Sequence, residues 1–62
     1  MTEFTADDKR AAILREIEQR KRVYPRLVER GTMTQAFADR QIQIMAAIAC
    51  DYAKLAKTER LL

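Results

Sequence analysis

Histidine and tryptophan are absent from this chain; cysteine, glycine and proline occur once each, as Cys50, Gly31 and Pro25. Each shortage excludes something. A single thiol cannot close a disulfide within the chain, and without histidine the usual structural zinc sites cannot be assembled. A thiol nucleophile would lack the base that most often activates it, so catalysis by Cys50 is not expected and its ordinary role is a small buried residue at a dimer contact. One glycine rules out a glycine-rich phosphate loop. Asp39 and Asp51 lie more than three turns apart on what reads as one helix, too far to share a proton or a metal ion. The sequence therefore predicts no enzyme, no cofactor, no metal site and no small-molecule substrate.

Long apolar runs are also missing. The longest, residues 44–50, is seven residues, against the roughly 20 that a membrane-spanning helix needs. No membrane segment is expected. The start of the chain (Met1, Thr2, Glu3, then Asp7 and Asp8) lacks the basic and apolar regions of a secretory signal, and one cysteine suits a reducing compartment, so the expected location is cytoplasmic.

What the chain does have is 48% hydrophobic and 34% charged residues in a length of 62. That is too apolar for a disordered chain, and its richness in Ala, Ile, Leu, Arg, Glu, Gln and Lys favours helix throughout. A single core of this size seldom supplies more than about 3 to 5 kcal/mol of net stability. With disulfides and metal unavailable, self-association is the remaining supplement.

The element boundaries follow from a few residues. Thr5 with Asp8 three positions on forms a capping box, and Asp7 and Asp8 suit the positive end of a helix dipole, so helix one begins near Ala6. Winding at 100° per residue aligns Ile13, Leu14, Ile17, Tyr24, Leu27 and Val28 as a core-facing stripe. Arg20 and Lys21 fall inside it and are expected to lay their stems along the apolar surface. Pro25 removes a backbone donor about five turns into this helix. A kink near residues 21–24 is expected because Leu27 and Val28 stay in phase; a stop at Val23, with Pro25 opening a new turn, is the alternative. Gly31 suits a left-handed C-cap after Arg30. Thr34 is the expected N-cap of helix two, with Thr32 and Gln35 as a competing start. These spans, helix one at about 6–30, a corner at 31–34 and helix two at about 35–60, describe a single all-α domain, an antiparallel helical hairpin.

Helix two is apolar over more than one partner helix can cover. Phe37, Ile44, Met45, Ile48, Tyr52 and Leu55 form a stripe of large residues; Ala38, Ile42, Ala49, Ala53 and Ala56 form a second beside it. The large stripe is expected to pair with helix one, leaving the alanine stripe as a self-association face that lets another copy approach closely. A dimer of hairpins, an antiparallel four-helix bundle, follows.

The net charge is +3, with a pI near 9.4, and the basic excess sits in residues 9–30. Steps of four, three, four and four place Arg15, Gln19, Arg22, Arg26 and Arg30 together as a ridge on the solvent side of helix one. Such a ridge suits an anionic partner, either an acidic protein surface or a nucleic-acid phosphate backbone, though a charged outer face also serves solubility alone. Tyr24 and Tyr52 read as core residues with hydroxyls at the edge, not as base-stacking residues. Met33, Met45 and Phe37 read as corner and core filling.

The block YPRLVERGTMTQAFADRQIQIMAAIACDY (residues 24–52) resembles short helical proteins encoded by tailed phages and prophages of proteobacteria. The resemblance rests on Tyr24, Pro25, Leu27, Val28, Gly31, Met33, Thr34, Gln35, Ala38, Asp39, Ile42, Met45, Ala47 and Ile48, and covers about half the chain. It implies a phage origin, a host-cell cytoplasmic location and a protein that works by binding, such as a modulator of a host factor or of a defence system. The expected partner is therefore a second copy or a host or phage protein, with nucleic acid as the rival.

Overall fold

The computed structural model describes residues 3–61, which form two α-helices, α1 (Ala6–Glu29) and α2 (Gln35–Leu61), joined by a short corner. Among the described residues there is no strand. Leu61 and Leu62 are expected from the sequence to fray or to cap the bundle end, and of the two Leu62 lies outside the described residues. The helices run back along each other as an antiparallel hairpin 48 Å long and 17 Å across in both other directions.

Local rules set the ends of α1. Thr5 adopts extended backbone and its Oγ1 accepts from the Asp8 amide at 3.0 Å, while the Thr5 amide donates to Asp8 Oδ2 at 3.1 Å. Two otherwise orphaned donors are satisfied reciprocally. A third, the Ala6 amide, donates across the hairpin to Glu59 Oε1 at 3.2 Å, so a carboxylate from the end of α2 meets the positive end of the α1 dipole. Helix α1 then runs through Pro25 without the stop at Val23 that was its alternative reading. Pro25 leaves the Lys21 carbonyl without its intrahelical donor, and both residues are exposed, where water can replace it.

The corner is a Schellman motif. Gly31, at φ 80°, donates its amide to the Val28 carbonyl at 3.0 Å, and the Thr32 amide donates to the Leu27 carbonyl at 3.0 Å. The pairing of these donors with the last carbonyls of α1 closes the helix on a left-handed residue. Thr32 spends its hydroxyl on the same Leu27 carbonyl, at 3.1 Å. Thr34 is left to cap α2, its Oγ1 accepting from the Phe37 amide at 3.1 Å and its carbonyl from the Ala38 amide at 3.0 Å.

The seam between the helices overturns one expectation. Ala38 is 3% exposed and Ala56 2%, with Ala49 also buried, against Ile17 and Tyr24 of α1; Ile42 and Ala53 are half-buried beside them. The alanine stripe of α2 therefore lies inside the hairpin and is not free for another copy. Of the large stripe, Met45 and Tyr52 are half-buried at the seam's edge, while Phe37, Ile44, Ile48 and Leu55 are exposed. The physical reason is size: α1 contributes bulky Ile13, Ile17, Tyr24 and Leu27, and small residues opposite let the helix axes close until these side chains interlock. Two large stripes facing each other would hold the axes apart.

Two substitutions probe this fold by chemical denaturation. At Gly31 a Cβ would meet nothing within 4 Å, so Gly31→Ala costs only the left-handed backbone strain, about 1 to 2 kcal/mol. Ala49→Leu forces a large side chain into the closed seam and is expected to cost about 1 to 3 kcal/mol; a neutral result would place Ala49 outside the seam.

Candidate interaction surfaces

With the seam occupied by the alanines, α2 presents its large residues to solvent. Phe37 is 51% exposed and Leu55 47%, with Ile44 and Ile48 between them also exposed. On a 100° wheel these four fall within about 40° of arc and some 100° round from Ala38, Ala49 and Ala56, along about 27 Å of helix. Val23 of α1, likewise exposed, lies on the same flank of the hairpin, the flank on which Lys9 Nζ reaches the Tyr52 ring at 5.7 Å from its centroid. Lys21, Pro25, Gln35, Asp39 and Gln43 line a shallow open groove on the opposite flank. The face made by Val23, Phe37, Ile44, Ile48 and Leu55 is an extended apolar feature left uncovered among the described residues, and sequence reading misassigned its α2 members to the interior. Scattered exposed apolar residues need no explanation, but an aligned row of this length does.

A half-buried polar cluster supports α1 at the edge of this face. Arg20 Nη2 pairs with Glu16 Oε1 at 3.1 Å, and Arg20 Nη1 donates to the Tyr24 hydroxyl at 2.9 Å. The Tyr24 contact, aided by Glu16, raises the Arg20 pKa above its already high ordinary value, so this cation does not titrate in any working range. Its Nε is shielded without a partner. Tyr24 itself is buried with its hydroxyl at the edge, as its place in the stripe predicts, and Tyr52 is half-buried.

The arginine ridge stands where the wheel puts it. Arg15, Gln19, Arg22, Arg26 and Arg30 are all exposed, on the side of α1 turned away from α2. Among the described residues the ion pairs are Glu16–Arg20, Glu18–Lys21 and Asp7–Arg60, and none takes a ridge arginine. Four guanidinium groups thus extend over about 22 Å of helix, free to engage an anionic surface. The floor between them is a shallow strip bounded by Leu14, Glu18 and Gln19.

Other chemistry-bearing groups do not gather. Cys50 is exposed as a free thiol. Among the described residues no three cysteine, aspartate or glutamate side chains come together as a metal site, and no helix is long and apolar enough to cross a membrane. Comparison of the chain with protein-family models, curated proteins and solved structures returns no match.

Proposed function

We propose that this chain is a small interaction protein without catalytic chemistry, phage-derived as its corner block suggests, that assembles through the uncovered apolar face and recognises its target with the polar side of α1. The observation that carries this reading is the exposed row Phe37, Ile44, Ile48 and Leu55. Covering one such side chain completely contributes about 1.5 to 3 kcal/mol, while the hairpin's own buried set, Ala6, Ile17, Tyr24, Ala38, Ala49 and Ala56, is mostly alanine. A fold this small gains more from covering that face than from anything left inside it. A bend of α1 at Pro25 would belong to this arrangement by curving the helix around a shared core. A host factor or a defence component fits as the target of the assembled protein.

The second reading is a nucleic-acid binder working through Arg15, Arg22, Arg26 and Arg30, favoured by the four unpaired guanidinium groups on one line. One experiment separates the two. Light scattering behind size exclusion, at 100 and 500 mM salt with and without a mixed-sequence DNA duplex, is expected to give a multiple of 7.2 kDa at both salts, because apolar contacts are not screened. Ile48→Asp is expected to return the mass to that of one chain. A wild type that stays at one chain with formed helices up to about 100 µM, or an assembly indifferent to Ile48→Asp, defeats the assembly reading. Binding to duplex that falls with salt, with a log–log slope near −3.6 for four phosphates, and that is lost in Arg22→Gln/Arg26→Gln, selects the second reading.

A further inference from the structure

The uncovered row on α2 is symmetric about its own midpoint. Phe37, Ile44, Ile48 and Leu55 are spaced seven, four and seven, so reversing the helix about position 46 superposes Phe37 on Leu55 and Ile44 on Ile48. Helical periodicity alone produces such spacings, and in an antiparallel contact between two copies of this helix they set a large residue against a large residue at each level of the row. The charges on one border of the row come within one residue of the same reversal. Arg40 and Asp51 are both exposed and, at 100° per residue, both lie on the side of the row away from α1. Reversal about position 46 carries Asp51 to the level of position 41, one residue from Arg40. In an antiparallel pair each border of one helix faces the same border of the other, so every Arg40 meets the second copy's Asp51, twice per dimer. Within one chain the two residues are eleven positions apart, about 16 Å along the helix, too far to pair.

We propose that the occupant of the apolar face is a second copy of this chain, with the two α2 helices antiparallel about a two-fold axis at residue 46, Phe37 against Leu55, Ile44 against Ile48, and Arg40 against Asp51. This rests on the assembly reading above and specifies its partner and register. The two-fold axis crosses the helices, so α1 of one copy lies beside α1 of the other, and a four-helix bundle closes over both rows. Val23 is covered in the same step. The arrangement also turns the two arginine ridges toward the same outer side.

Reciprocal charge reversal tests the register on the intact protein. Arg40 and Asp51 are exposed and neither forms an ion pair within the chain among the described residues, so their substitution does not disturb the hairpin, which circular dichroism verifies. Arg40→Asp places acids opposite acids and Asp51→Arg places bases opposite bases; each is expected to raise the dimer dissociation constant about fivefold or more in 50 mM salt, measured by sedimentation equilibrium. The double variant Arg40→Asp/Asp51→Arg restores wild-type affinity, a rescue with no intrachain explanation. Single reversals without effect, or a double variant no tighter than the singles, overturn the antiparallel register even where Ile48→Asp still dissociates the assembly. In that case the apolar-face reading stands and this pairing falls. A wild type that is one chain at all concentrations overturns both.

Discussion

Close approach of α1 and α2 along Ala38, Ala49 and Ala56 is the contact from which the other features of this molecule descend. Because methyl groups line one side of the seam, the helices approach until Ile17 and Tyr24 are buried. The same choice leaves the larger residues of α2 no place within the hairpin. Glu59 and Arg60 at the end of α2 are carried by this seam to the start of α1, where they reach Ala6 and Asp7. The polar contacts across the hairpin are thus placed by the alanines and add little of their own, since exposed ion pairs contribute at most about 1 kcal/mol.

The division of labour between faces follows directly. Helix α1 spends most of its apolar side on the seam, leaving Leu14 and Val23 exposed at its edges, and has an outer side of arginines. Helix α2 has two apolar sides, of which the seam uses the smaller. A helix apolar over so wide an arc keeps a side that one partner helix does not cover, and here that side carries Phe37, Ile44, Ile48 and Leu55. The arginine ridge lies wholly on α1, while the exposed apolar row lies on α2 with Val23 of α1 beside it.

Much of this architecture is written in short-range chemistry. Thr5 with Asp8, Gly31 after Arg30, and Thr34 before α2 each follow from rules that span four residues, and the structure uses all three. The ridge could be placed from α1 alone, because it lies opposite the strip of Ile13, Ile17 and Tyr24. The seam on α2 could not. Two neighbouring apolar stripes are equally legible in the sequence, and choosing between them requires matching side-chain sizes across helices far apart in the chain, which hydrophobicity ranks wrongly by favouring the bulkier stripe. Nor does Glu59 choose between them: an acid at the end of helix two belongs at the positive end of helix one, but Glu59 is three residues from Ala56 and four from Leu55 and so falls between the two stripes.

The tight corner has a consequence for how copies of the chain can exchange parts. The chain reverses only between Glu29 and Gln35, and the reversal hangs on one left-handed residue, Gly31. Were that residue to enter the right-handed region and residues 32–34 to follow it into helix, α1 and α2 would merge into a rod of about 84 Å, with every seam residue uncovered. Two such rods lying antiparallel would rebuild both seams between molecules, Ala49 of one rod under Ile17 of the other, at no loss of buried surface. The glycine thus favours the chain that closes on itself, and a residue less at ease in the left-handed region narrows the margin over the swapped pair by the same strain.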